Sequence, residues 1–206
     1  HILDGGISAE ELRGMLRLRE AEQAFRVQQE AERLRRLHAT LRLIEQENTM
    51  SQDVVIKEVA PQWIASVRAT IPNYQSVGAL YGEVFGLLGQ KGCPGGLPVA
   101  LWHDPEYKES DVDGEAGVYL QKPVEPAGRV NVYVLPACTV ASTIHAGAFQ
   151  TLNSSYRAVA AWMGANGYLP AGPARELYLK LGEQVRQDDE SYITEIQIPV
   201  ARNSTS

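Results

Sequence analysis

The feature that most constrains this chain is a duplication inside its C-terminal part. Ile64-Ala65-Ser66-Val67 is matched, 76 residues on, by Val140-Ala141-Ser142-Thr143. Each is followed by a helical stretch that holds a tyrosine, Tyr81 and then Tyr156, and closes at a glycine, Gly92 or Gly167. The tyrosine and glycine pairs stand 75 apart, so one copy carries a single-residue insertion. Val99-Ala100-Leu101-Trp102 then falls on Arg175-Glu176-Leu177-Tyr178, and Leu120-Gln121-Lys122-Pro123-Val124 on Ile196-Gln197-Ile198-Pro199-Val200. Self-similarity at a fixed spacing marks one supersecondary unit used twice.

Each copy reads strand, helix, strand, strand. The strands rest on β-branched and aromatic residues bounded by Gly and Pro. The helices rest on apolar spacing: Val77, Leu80, Tyr81, Val84, Leu87 and Leu88, then Leu152, Tyr156, Val159, Ala160 and Met163. Residues 53–59 lead into the first copy as an extra strand, and residues 129–135 lead into the second in the same way. Two halves of this kind, each with a helix on one sheet face, leave their opposite faces to meet across a cleft, and clefts between halves favour ligands.

Residues 1–50 have a different character and read as one long helix. Ser8-Ala9-Glu10-Glu11 has the form of a capping box. The stretch from Leu16 to Glu47 is dense in Leu, Ala, Glu, Gln and Arg, all good helix formers. Asn48-Thr49-Met50-Ser51 ends it. Leu34, Leu37, Leu41 and Ile44 follow the 3-4 spacing of a coiled coil. So narrow a stripe asks for a partner helix from a second copy of the chain; packing along the chain's own domain is the alternative. The expected fold is therefore α+β: a long N-terminal coiled-coil helix over 1–50, then a duplicated strand-helix-strand-strand domain over 51–206 with a cleft between its halves.

Several function classes are disfavoured. The net charge of −6 repels phosphate, so this stretch alone is a poor nucleic-acid binder. Cys93 and Cys138 form no CxxC and no Cys/His cluster, which points to no metal site, no cofactor and a reducing, cytoplasmic setting. The four histidines, His1, His38, His103 and His145, are scattered, and no Ser-His-Asp or Cys-His set is visible. No apolar run approaches the ~20 residues that a membrane span needs. The chain opens at His1 without an initiator Met, as a piece of something longer does.

Strand alternation sorts the cleft residues. With the leucines of 175–179 under the helix, Glu176 and Tyr178 point the other way. With Ile196 and Ile198 in the core, Glu195 and Gln197 face the cleft. The repeat then assigns Ala100, Trp102, Tyr119 and Gln121 to the equivalent places in the first copy. With Tyr81 and Tyr156 from the helices, the candidate ligand-binding set is Glu176, Glu195, Trp102, Tyr119, Tyr178, Tyr156, Tyr81 and Gln197. Rings with buried carboxylates suit a lipophilic cation, because ring faces attract positive charge and a carboxylate in low dielectric neutralises it. Exposed strand carboxylates paired with Arg or Lys are the bland alternative.

Two families are resembled in series. Ile7-Ser8-Ala9-Glu10-Glu11-Leu12-Arg13-Gly14-Met15-Leu16 and the helix after it look like the end of a MerR-type winged-helix head running into its dimerisation helix. Gly172–Leu179 and Tyr192-Ile193-Thr194-Glu195-Ile196-Gln197-Ile198-Pro199-Val200 resemble the gyrase-inhibitor-like (GyrI-like) effector domain. The resemblance implies a transcription regulator that senses a small molecule. Its partners would be a second copy, paired through antiparallel helices, and promoter DNA, contacted through a head absent from this chain. It places the ligand-contacting carboxylate at Glu176, with Glu195 second. Some stand-alone GyrI-like proteins are hydrolases, so an enzyme with Glu176 as general base, supported by Tyr178 and Trp102, is the competing expectation. A protein that only sequesters drugs is the third.

Overall fold

The computed structural model describes residues 9–47 and 53–203, with side chains described outside 42–47. The expected cap at Ser8, the helix end at 48–51 and the Ile44 side chain fall outside these. Two compact units are present, 1–51 and 52–206. The first contributes one helix, α1 (Ala9–Glu47). Its 39 residues span about 58 Å at 1.5 Å per residue. Each of its described side chains is exposed, including Leu12, Leu16, Phe25, Leu34, Leu37 and Leu41.

The second unit is an antiparallel sheet with two helices, curled into a half-barrel. Its elements run β1 (Val55–Val59), β2 (Gln62–Ile71), α2 (Gly78–Gln90), β3 (Pro98–Trp102), β4 (Val112–Leu120), β5 (Asn131–Leu135), β6 (Cys138–Ala146), α3 (Leu152–Ala165), β7 (Tyr168–Pro170), β8 (Ala174–Lys180) and β9 (Ile193–Arg202). The strand-helix-strand-strand order thus occurs twice, each time after a lead-in strand, with the short β7 as an addition in the second copy. Both helices end as the paired glycines foretold. Gly92 and Gly167 sit just past the last helical turns at φ 60° and 70°, a conformation that costs glycine nothing and closes a helix.

The order across the sheet is β1-β6-β9-β8-β3-β4-β2-β5, with β7 added on β9. Read from either end, the path meets equivalent strands. The two halves therefore join edge to edge where β3 pairs with β8, Ala100 lying opposite Glu176. The lead-in strands are exchanged. β1, which precedes the first copy, pairs with β6 of the second, and β5 pairs with β2 of the first. The copies also differ in register: Ala100 is opposite Ala116, whereas Glu176 is opposite Ile196. Glu115, not Tyr119, is consequently the counterpart of Glu195, because the connection from β8 to β9 is longer than that from β3 to β4.

Both helices lie on one face. α2 buries Leu80, Val84, Leu87 and Leu88 against Ala65, Val67, Ala116 and Val118. α3 buries Val159 and Met163 against Ala141 and Val200. Each such aliphatic side chain contributes about 1.5–3 kcal/mol. The other face carries neither α2 nor α3, yet Ile64, Val99, Leu101, Leu135 and Leu177 form a second buried cluster there, as curling brings the strands over one another.

Candidate functional site

The site grows from the junction of the halves on the helix-bearing face. β8 presents Glu176 and Tyr178 there, and its neighbour β3 presents Ala100 and Trp102. The small side chain of Ala100 leaves the space beside Glu176 to larger groups. Trp102 Nε1 donates to Glu176 Oε1 at 2.9 Å, and Tyr156 OH, from α3, donates to the same oxygen at 2.8 Å. Tyr178 OH donates to Oε2 at 3.0 Å. Tyr81, from α2, stands edge-on to Tyr178 at 6.4 Å between centroids, and its buried hydroxyl has no partner. Phe149 packs edge-on to Tyr178 from the other side, and Tyr74 does the same to Trp102. Tyr107, well exposed, stacks on Tyr74.

The electrostatics follow from burial. Glu176 is 6% exposed. Burial raises its pKa above the ordinary carboxylate value, against the downward pull of Tyr156, Trp102 and Tyr178. Burial, and then the neighbouring Glu176 charge, hold the Tyr156 and Tyr178 phenols far above their usual range, so both stay protonated and donate.

A second carboxylate system occupies the helix-free face and obeys the pseudo-symmetry. Ser66 on β2 donates to Glu115 on β4 at 2.5 Å, and Ser142 on β6 donates to Glu195 on β9 at 2.5 Å. Each carboxylate also draws a side chain from the exchanged lead-in strand. Tyr133 of β5 donates to Glu115 at 2.7 Å, and Lys57 of β1 pairs with Glu195 at 2.5 Å. His103 completes the first set and Gln197 the second. Burial works to raise both pKa values, but these partners outweigh it and both end below the usual range.

The family model for the GyrI-like small molecule binding domain matches residues 52–201. The chain belongs to the GyrI-like family. The solved EcmrR–DNA complex is similar at 28% identity and TM-score 0.66, over 92% of this chain and 72% of that one. The EcmrR C-terminal domain is also 28% identical, with TM-score 0.63, over 74% of this chain and 99% of that one. EcmrR is a MerR-family regulator. A hydrolase from Listeria innocua shares the fold at 12% identity and TM-score 0.55, over 76% of this chain and 96% of that one. No curated protein matches the sequence. No helix among the described residues is long and apolar enough to cross a membrane.

Within this GyrI-like domain, five of the eight expected site residues come together: Glu176, Trp102, Tyr178, Tyr156 and Tyr81. Glu195, Gln197 and Tyr119 do not join them; they lie on the helix-free face. The sorting of β4 and β9 is right, since Val118, Leu120 and Ile198 do face the helices. That of β3 and β8 is inverted. Leu177 faces away from the helices, while Glu176 and Tyr178 face them. The site therefore lies where the halves meet, but between the helices rather than on the faces opposite them. Gln121 lies past the end of β4 and is exposed. Sequence reasoning missed Glu115 altogether; aligning Glu115-Ala116-Gly117-Val118 with Glu195-Ile196-Gln197-Ile198 would have found it. His145 is buried and structural, tying β6 to the start of α3 through Ser155 Oγ at 2.8 Å and Ala148 O at 3.1 Å.

Proposed function

We propose that the chain is the effector-sensing and dimerisation part of a MerR-type transcription regulator, and that it takes an aromatic, cationic small molecule at Glu176. In this reading 1–50 is the dimerisation helix, 51–206 is the effector domain, and promoter DNA is contacted by a head outside this chain. The observation that carries the ligand assignment is a buried carboxylate enclosed by Trp102, Tyr156, Tyr178 and Tyr81, with Tyr74 and Phe149 behind them. A cation entering that enclosure gains ring-face attraction and a desolvated counter-charge together. The exposed apolar residues of α1 support the dimer, because a long helix with exposed apolar side chains gains by pairing.

The similarity to EcmrR over both the helix and the domain supports the regulator over a stand-alone hydrolase. So does the carboxylate's own geometry. Both oxygens of Glu176 are engaged by Trp and Tyr donors, an arrangement that stabilises charge rather than one aimed at a water.

Titration with ethidium and related aromatic cations, followed by calorimetry, tests the ligand class. Glu176→Gln keeps shape and removes charge, and is expected to weaken binding by about 2–5 kcal/mol. Equal affinity in parent and variant overturns the assignment. Steady consumption of an electrophilic small molecule, stopped by the same substitution, moves it to hydrolysis. Sedimentation at micromolar concentration tests pairing: a dimer is expected, and a monomer ends the proposed role of α1.

A further inference from the structure

Among the described residues, the helix-free face holds three buried polar atoms without a hydrogen-bond partner: Arg175 Nε, Gln197 Oε1 and Tyr119 OH. They form a group. Arg175 on β8 lies directly across from Gln197 on β9. Arg175 also stands beside the Tyr119 hydroxyl, at the margin of a hydrogen bond to it, and within electrostatic reach of Tyr133. Arg175 is 4% exposed and Gln197 2%.

The neighbouring carboxylates already have their own partners. Glu195 takes Lys57, Ser142 and the Gln197 amide N–H; Glu115 takes His103, Ser66 and Tyr133. Among the described residues no carboxylate forms an ion pair with Arg175. A buried N–H donor left unpaired, here Arg175 Nε, is disfavoured, and so is a buried amide oxygen with nothing to accept. The repeat sharpens the point. Where the second copy has Arg175 and Gln197, the first has Val99 and Gly117, so the fold does not need these polar groups to form the sheet.

We propose that Arg175, Gln197 and the Tyr119 hydroxyl form a second binding site, on the helix-free face, for a small hydroxy- or aminocarboxylate. The guanidinium fork and the phenol O–H are donors that suit two carboxylate oxygens. Gln197 Oε1 is an acceptor, so the same molecule needs an O–H or N–H beside its carboxylate. This site is separate from Glu176 and does not rest on the reading of that site.

The test is the thermal midpoint of the full chain in glycolate, formate and chloride at matched ionic strength. Glycolate is expected to raise the midpoint saturably and formate to do so less, with no saturable rise in chloride. Arg175→Met should abolish the glycolate effect. Tyr119→Phe, which removes one hydroxyl and keeps the ring, should raise the apparent Kd for glycolate several-fold. Far-ultraviolet circular dichroism reports that each variant is folded. Equal responses to the three salts, or an undiminished glycolate response in both variants, would overturn the proposal. If Arg175→Met does not fold, Tyr119→Phe decides alone.

Discussion

The two halves of the domain share a backbone plan and divide the chemistry unequally. At the junction the first copy offers Ala100 and Trp102, and the second, at the same two places, Glu176 and Tyr178. On the other face the copies agree in one element, a serine bonded to a buried glutamate, and differ around it. A neutral phenol from the lead-in strand serves Glu115; an ammonium serves Glu195. A duplicated fold needs its core spacing twice but its charge only once, so one copy is free to stay apolar while the other carries function.

The largest expected effect probes that division directly. Moving the carboxylate across the junction, with Ala100→Glu and Glu176→Ala together, should not restore affinity for an aromatic cation, because Tyr156 and Tyr178 are placed around the second copy's position alone. The double variant is expected to lose about 2–5 kcal/mol of binding, as a buried cation loses its counter-charge. Calorimetric affinity near the parent's would show that the halves are interchangeable.

Next comes Gly117→Gln, which gives the first copy the residue that Gln197 supplies in the second. A Cβ there would run into Ile64 Cδ1, well inside van der Waals contact. Overpacking of this kind costs about 1–3 kcal/mol, read by urea unfolding. No loss would mean that the first copy's helix-free face is as open as the second's.

The two carboxylate systems have folded pKa values shifted in opposite directions, so their acid limbs fall in different pH ranges. Glu176 has a raised folded pKa, so cation binding should fall as pH drops through that value and the carboxylate gains a proton. Glu115 and Glu195 have lowered folded pKa values. The stability they contribute is present above the unfolded carboxylate pKa of about 4.3 and is lost as pH falls through their folded values. Denaturation across the acid range should show this limb, and Glu115→Gln and Glu195→Gln should each flatten it. Lys57 is well exposed, so the Glu195 share should shrink in salt, by less than about 1 kcal/mol, while the Glu115 share holds.

The smallest effect belongs to Tyr81→Phe. It removes a buried hydroxyl that has no partner, and stability should stay level or rise by up to about 1 kcal/mol. A clear loss would reveal a role for that oxygen within the fold.

The element order was legible because apolar spacing and paired glycines such as Gly92 and Gly167 are local signals. Glu176 was legible too, as a charge alternating with the leucines of its strand. Its face was not. Alternation reports a face only when one side meets water, and here both Glu176 and Leu177 are buried. Glu115 was hidden because the copies slip in register between their last two strands. The exchange of β1 and β5 left no trace either, since strand pairing depends on partners distant in the chain.

That exchange fixes the order in which the molecule can be completed. As the chain emerges from the ribosome, β1 appears first and must wait without a pairing partner until β6 has been made, some eighty residues later. The first copy in turn lacks an edge until β5 follows. Neither copy, expressed by itself, contains both strands that finish its own rim, so a gene cut between them would yield two incomplete sheets.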